Sequence, residues 1–251
     1  MENITFEKRV SKGSRFNQIY IPQEMRNIVE VGDLVQIKLL TKHTEIYYKN
    51  QKKLLDFKEY LIKNIFSDLQ KFSEIKTIFI VGSFLYETIY NDIDIIIITN
   101  KERKVSEKDV ENLLIKNFSQ KFHVIFFNEE NLRALMEKDP LTRVMFNNYI
   151  SNKKIDFDCK KKIDEKHIEF LLMMPEDLLE LRLPSKIFYD NLRRLVAIEL
   201  FLEDKKLNRE GVLDCLKKKL DIKILNKIED NDEINDSELN ILRRLMRVKI
   251  K

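Results

Sequence analysis

Glycine is scarce in this chain, with four glycines in 251 residues, so each one is expected to mark a place where a side chain would disturb the backbone. Gly82 follows an apolar run at 77–81 and is followed by Ser83. Asp92 and Asp94 then open a second apolar run. This order predicts a strand, a Gly-Ser turn, a short connection and a second strand that begins with two carboxylates.

The two aspartates are expected to act together. Because side chains alternate along a strand, Asp92 and Asp94 project from one face, and the isoleucines beside them face a core on the other. Paired carboxylates suit Mg²⁺, which proteins hold through one or two carboxylates plus substrate phosphates. Such a metal stabilises charge on the attacking and leaving oxygens of a transfer reaction. The alternative is a solvated strand edge, since Asp-x-Asp recurs at 156–158 without a preceding Gly-Ser.

The stretches 81–83 and 92–95 resemble the motif of the polymerase-beta-like nucleotidyltransferase superfamily, especially its small prokaryotic members. The resemblance covers a catalytic core at about residues 52–150. In that family the Gly-Ser turn holds the nucleoside triphosphate and two aspartates bind Mg²⁺. The resemblance therefore implies nucleotide binding for the turn and metal binding for the acids: Gly82 and Ser83, and Asp92 and Asp94.

Three features depart from the family's pattern. The connection between Ser83 and Asp92 is shorter than usual, and Phe84 stands where many members carry an arginine near the phosphates. The family also places a third acid on a later strand, where the run 122–127 offers His123. A histidine accepts a proton near neutral pH but is a poor Mg²⁺ ligand. Two interpretations of His123 stay open: a base in place of the acid, or a half-buried strand histidine.

The first fifty residues have a second recognisable pattern. Basic residues around Gly13 precede Ile-x-Ile-Pro at 19–22, then Met-Arg, then Val-x-x-Gly-Asp-x-Val at 29–35. The pattern predicts a strand, a short helix after Pro22, a turn at Gly32 and a second strand at 34–39. This sequence pattern resembles that of the AbrB/SpoVT swapped-hairpin family.

That resemblance implies an intertwined homodimer, since about fifty residues bury too little surface alone. It also implies contacts with double-stranded DNA through four basic residues of the first hairpin: Lys8, Arg9, Lys12 and Arg15. The alternative is a solvated hairpin face on a domain that only dimerises. The segment is only mildly basic because acids are interspersed with these residues.

The remaining sequence is expected to be helical. The stretch 184–204 is amphipathic, with Ile187, Leu195 and Leu202 among its inward-facing residues and Arg193 and Arg194 in the middle. Two interpretations of these arginines stay open. They face the triphosphate or a nucleic acid across the cleft, or they pair with surface acids.

Composition excludes a membrane protein and permits an anionic partner. No apolar run approaches the roughly 18 residues of a membrane span, and the N-terminus lacks the apolar region of a signal peptide, so a cytoplasmic protein is expected. The formal net charge of +4 permits nucleotide or nucleic-acid binding without requiring it.

The sequence thus predicts an α+β chain of three domains. These are a swapped-hairpin β domain at 1–50, a nucleotidyltransferase-like mixed sheet with helices at 52–160, and a helical bundle at 161–251. The expected function is Mg²⁺-dependent transfer of a nucleoside monophosphate from a triphosphate to a protein or nucleic-acid hydroxyl. With two of three expected acids identified, activity stays undecided. The alternative is a catalytically degenerate regulator, or an antitoxin-like DNA-binding protein.

Overall fold

The structure, a computed structural model, describes residues 6–37, 44–100, 102–181, 183–229 and 232–250. The chain is α+β and divides by its internal contacts into two units, residues 1–42 and 43–251. The sequence predicts the first break at about residue 50. The structure assigns residues 47–49 to the second unit because they form a strand of its sheet.

The first unit contains a small antiparallel hairpin of β1 (Ser11–Lys12) and β2 (Asn17–Gln18). Gly13 lies at its tight turn, where a Cβ would meet the carbonyl oxygen of Phe16 at 2.5 Å. A short 3-10 helix, Gln23–Met25, follows Pro22, in agreement with the predicted short helix.

The two longer strands predicted in this unit do not form in the residues that the structure describes. Residues 19–21 and 34–37 are not in strands, and residues 38–39 lie outside the described ranges. The apolar side chains expected in a shared core are exposed, with Val35 at 53% and Ile37 at 69%. A segment this short has too little apolar surface to bury these residues by itself.

The second unit is built around a five-stranded mixed sheet. Its strands are β3 (Tyr47–Lys49), β4 (Ile75–Val81), β5 (Ile93–Thr99), β6 (Phe122–Phe127) and β7 (Tyr149–Ser151). Their order across the sheet is β3-β7-β4-β5-β6. Strands β5 and β6 are parallel and the other pairs are antiparallel. The two strands predicted around the Gly-Ser turn, β4 and β5, are therefore central neighbours.

Nine α-helices lie in the described part of this unit. They are α1 (Asp56–Leu69), α2 (Glu107–Phe118), α3 (Glu129–Lys138), α4 (Pro140–Asn147), α5 (Glu165–Leu178), α6 (Ser185–Leu202), α7 (Arg209–Lys219), α8 (Ile222–Glu229) and α9 (Asp236–Ile250). Ser106 caps α2 through a capping box with Asp109, and α3 ends before Asp139 and Pro140.

Two predictions about local structure are wrong. Residues 153–158 form no strand although apolar and polar residues alternate there. Instead the segment folds back on the sheet, where the Tyr149 hydroxyl donates to the Ile155 carbonyl at 2.7 Å and Phe157 packs on a buried cluster. The sequence also predicts two helices divided near Pro175, but α5 continues through this proline. Pro175 lies in the last turn of α5, and its missing N–H removes one hydrogen bond of the helix.

The sheet has a core on each face, and the helices after it have their own. Alternate residues of β4 and β5, such as Ile80 and Ile95, pack with α1 and α2. The other set, such as Phe79 and Ile96, packs with α3 and α4. A third core surrounds α6, which contacts α4, α5, α7, α8 and α9. Because α4 belongs to the sheet side and also contacts α6, it connects the helical bundle to the sheet.

A buried lysine holds the turn that follows β4. The Nζ of Lys58 on α1 donates to the carbonyl oxygens of Phe84 at 2.5 Å and Glu87 at 2.7 Å, and the residue is only 4% exposed. The same ammonium lies 4.8 Å from the centre of the Phe84 ring. Burial lowers the pKa of Lys58, while the charge of Glu87 opposes that change. Lys58 therefore anchors both ends of the segment 84–87 to α1.

Replacing this lysine is expected to destabilise the protein. The variant Lys58→Met keeps the apolar stem but leaves two carbonyl oxygens without their donor, so the free energy of unfolding should fall by about 2 kcal/mol. Urea unfolding measures the change. The control is Lys63→Met on the same helix, where an exposed pair with Glu59 is lost and about 0.5 kcal/mol or less is expected. Equal losses in both variants would contradict the anchoring role.

Candidate functional site

Gly82 and Asp94 are packed directly against each other. Gly82 ends β4 with φ of +81°, and its neighbour Val81 is paired with Asp94 in the sheet. A Cβ at position 82 would overlap Asp94 Oδ2. A glycine is therefore required here for two reasons: its backbone conformation is rare for other residues, and the carboxylate occupies the space of a side chain.

His123 lies beside Asp94 on the neighbouring strand. The parallel register of β5 and β6 pairs these two residues, and His123 Nδ1 lies 3.2 Å from Asp94 Oδ1. The imidazole is 58% exposed, so it is not the half-buried histidine of the second interpretation. The strand position expected for a third acid is therefore occupied by a histidine that contacts the central carboxylate.

The charge of Asp94 is sensitive to this environment. Burial of its carboxyl group raises the pKa of Asp94, the hydrogen bond with His123 opposes the rise, and the negative charge of Asp92 adds to it. Asp92 precedes β5 by one residue and is half-buried. The structure thus brings the two aspartates and His123 together at one end of the sheet.

The donor set suits a hard cation that is completed by a substrate. Among the described residues, no group of three or more His, Cys, Asp or Glu side chains is arranged to hold a metal ion. Mg²⁺ is normally bound by one or two carboxylates together with phosphate oxygens and water. Asp92 and Asp94 fit that requirement, because a second charge nearby disfavours ionised Asp94 and a cation would relieve the repulsion.

A cleft of about 440 Å³ opens at this end of the sheet. We call the residues that the turn and β5 contribute the strand side: Gly82, Ser83 and Asp94. Four charged residues of α6 and α7 form the helix side: Asp190, Arg193, Arg194 and Arg209. Asp92 and His123 do not line this cleft. His123 does contact Asp94, which lines it. The cleft therefore combines three carboxylates, those of Glu87, Asp94 and Asp190, with three arginines.

The structure shows where the two arginines of α6 lie. Arg193 and Arg194 both line the cleft. Arg193 Nη1 also lies 3.5 Å from Asp190 Oδ1, so it pairs weakly with an acid as well. Arg194 forms no ion pair within the part of the chain that the structure describes, and its Nη1 contacts Met174 Sδ at 3.7 Å. Both arginines are thus available to a ligand in the cleft.

Arg209 is a cleft residue that the sequence did not reveal. Its Nη2 donates to Glu87 Oε1 at 3.0 Å, and its guanidinium lies 4.4 Å from the centre of the Tyr86 ring. It follows Asn208, the N-cap of α7, and nothing in the local sequence distinguishes it from an ordinary first-turn residue. Lys58, by contrast, was detectable, because it is four residues before buried Ile62 on the apolar stripe of α1.

The position of Phe84 explains one departure from the family's pattern. The side chain is fully buried, with its ring edge-on to Tyr90 at 4.8 Å between centres. It points into the core and does not line the cleft. Positive charge in the cleft comes instead from α6 and α7.

Two other sets of charged residues that the sequence analysis names do not line the cleft. The basic residues of the first unit, Lys8, Arg9, Lys12 and Arg15, are all exposed on or next to its hairpin. The second Asp-x-Asp segment is an exposed surface, where Asp156 pairs with Lys49 at 3.2 Å. It borders a cavity of about 200 Å³ that contains none of the predicted site residues.

A scan of protein-family models and searches of curated proteins and solved structures find no match to this chain. No helix within the described ranges is long and apolar enough to cross a membrane.

The contact between Gly82 and Asp94 is testable by a double-mutant cycle. Gly82→Ala should lower the free energy of unfolding by about 2 kcal/mol from backbone strain alone, and by more because of the overlap with Asp94. In an Asp94→Ala background the overlap disappears, so the same substitution should cost at least about 1 kcal/mol less. Urea unfolding of the four proteins measures this difference. Additive effects would show that the carboxylate does not occupy the space at Gly82.

Proposed function

We propose that the protein is a Mg²⁺-dependent nucleotidyltransferase, which transfers a nucleoside monophosphate from a triphosphate to a hydroxyl group of a protein or nucleic acid. The observation that supports this most is the packing of Asp94 against Gly82 at the edge of a cleft lined by arginines. A carboxylate, a glycine turn that lines the cleft and cationic side chains are groups that suit phosphoryl transfer.

Each residue has a defined part in this proposal. Asp92 and Asp94 hold Mg²⁺, which when bound neutralises charge on the phosphate oxygens. Gly82 and Ser83 allow the triphosphate to approach the backbone of the turn. His123 acts as the base: with a proton on Nδ1 donated to Asp94, its Nε2 is left as an acceptor for the proton of the attacking hydroxyl.

The first unit is proposed to form a homodimer and to bind double-stranded DNA. Its apolar side chains support the first part, because several are strongly exposed in one copy and a second copy would cover them: Val31, Leu34, Val35 and Ile37. The exposed basic residues around its hairpin support the second, since they contact phosphates without sequence preference. Dimerisation alone remains the alternative for this unit.

A regulator that binds nucleotides without transferring them is the second candidate. His123 favours it, because a histidine replaces the third acid and is a poor ligand for Mg²⁺. Such a protein would bind DNA through its first unit and respond to a nucleotide in the cleft. The two candidates differ in one measurable property, which is covalent transfer.

Transfer is tested by incubating the protein with labelled nucleoside triphosphates, Mg²⁺ and cell extract, and looking for labelled protein or RNA. The parent is expected to label an acceptor. The double variant Asp92→Asn with Asp94→Asn should lose both labelling and Mg²⁺-dependent triphosphate binding. His123→Ala should slow labelling with little change in nucleotide affinity, because a base acts in the transition state, and His123→Asp should keep or raise the rate.

Folding of the asparagine variant is checked by its pH dependence. The folded-state pKa of Asp94 is raised above its ordinary value of 3.8, so ionised Asp94 lowers stability at neutral pH, and this cost disappears once the pH is below the unfolded pKa. The variant should therefore melt at a higher temperature than the parent at pH 7, with a smaller gain as the pH falls toward 4.

The nucleotide measurements separate the two candidate functions. Equal Mg²⁺-dependent nucleotide affinity in variant and parent would contradict a metal site at Asp92 and Asp94. Nucleotide binding without any labelling would favour the regulator.

DNA binding by the first unit is tested through its salt dependence. Affinity for mixed duplex DNA should fall steeply between about 50 and 200 mM salt, because each phosphate contact releases counterions. Alanine at four hairpin positions should weaken binding and flatten the slope: Lys8, Arg9, Lys12 and Arg15. A control removes four exposed charges from the helical part: Lys217, Lys218, Lys223 and Arg244. Absence of binding by a protein that light scattering shows to be dimeric would leave dimerisation as the unit's role.

A further inference from the structure

The proposed reaction needs more positive charge than the strand side of the cleft provides. A nucleoside triphosphate has several negative charges, and one Mg²⁺ on Asp92 and Asp94 neutralises only part of them. Gly82 and Ser83 are uncharged, and Phe84, which follows them, is buried in the core. Further cations must therefore come from elsewhere in the cleft.

Arg209 is already committed to neighbouring groups. It donates to Glu87 at 3.0 Å and stacks on Tyr86, both of which follow the Gly-Ser turn. These contacts fix the start of α7 against the turn. Arg209 thus stabilises the cleft, and its charge is largely neutralised by Glu87.

Arg193 and Arg194 have donors that the protein does not use. The Nε of Arg193 is buried and has no hydrogen-bond partner, and its Nη1 is at the 3.5 Å limit from Asp190. Arg194 has no acidic partner in the described residues, and its Nη1 makes only a weak contact with Met174 Sδ. A guanidinium presents several donors in a plane that matches two phosphate oxygens. An anion in the cleft would accept from the terminal guanidinium nitrogens of the two arginines.

The charges of the cleft favour an anion that arrives with a metal. Its acids are Asp94, Glu87 and Asp190. Asp94 is neutralised when Mg²⁺ binds, and Glu87 is paired with Arg209. Asp190 then opposes only one of the two remaining arginines. The helix side is therefore net positive, and this charge lies at the arginines of α6, while a bound metal would neutralise Asp94 on the strand side.

We propose that Arg193 and Arg194 bind the polyphosphate tail of the nucleotide, so that α6 supplies half of the nucleotide site. This inference rests on the proposed function, and it extends the site from the turn and β5 to the helical bundle. The bundle is then part of the substrate-binding machinery, and its position relative to the sheet sets the width of the site. Both a nucleoside triphosphate and an acceptor nucleic acid carry phosphate groups that arginines could bind. We assign the two arginines to the triphosphate.

The inference is tested by calorimetry with two probes, inorganic tripolyphosphate and a nucleoside triphosphate, each with Mg²⁺. Arg194→Ala, at an exposed position, should weaken both by about tenfold or more, the loss expected for a charge-assisted contact. Arg193→Ala should do the same, and Arg193→Lys should show a smaller loss because it keeps the charge but not the planar fork. The control Arg244→Ala, at an exposed arginine of α9 outside the cleft, should bind both probes like the parent.

The other outcomes separate this inference from the proposed function. If the arginine variants bind both probes like the parent while Asp92→Asn with Asp94→Asn loses binding, α6 has no role and the nucleotide site stands. If they lose only the nucleotide, the arginines contact base or ribose, and the inference is wrong. A loss confined to binding of a short single-stranded RNA would assign them to the acceptor, which also overturns it. A parent that binds neither probe overturns both proposals.

Discussion

The site depends on one close contact, between the backbone of Gly82 and the carboxylate of Asp94. The contact is possible because β4 and β5 are central, antiparallel neighbours and because position 82 has no side chain. It places Asp94 beside His123 on one side and beside the turn on the other. Lys58 of α1 binds the carbonyl oxygens of the segment that follows the turn and so holds this segment to α1.

The helix α6 has two roles that its amphipathic sequence makes compatible. Phe188, Leu192 and Leu195 form the centre of the bundle core. Arg193 and Arg194 lie on the cleft between those apolar positions, so core packing determines where the guanidinium groups are held. The contact of α6 with α4 ties that position to the sheet. The sheet and the helical bundle are therefore parts of one structural unit, because both contribute residues to the same cleft.

Much of the local structure was predictable, and the errors have identifiable causes. Apolar runs, caps and proline positions located β4, β5, β6, α2 and α3, since these signals act within a few residues. The alternation at 153–158 predicted a strand that is not there, because the segment has no neighbouring strand and its apolar side chains are satisfied by packing on the sheet. The two longer strands predicted in the first unit do not form, because one copy does not bury the apolar side chains that such strands would need to bury.

The sequence by itself determined the turn, the two aspartates and the strand that bears His123, because rare glycine and strand alternation are local properties. Only the tertiary structure decided that His123 contacts Asp94, since this follows from the parallel register of β5 and β6. It also decided that the arginines of α6 and Arg209 share a cleft with a turn about a hundred residues earlier in the chain. Such placement results from the packing of α6 on α4 and α7, which is the sum of many apolar contacts and has no signature in any single stretch of sequence.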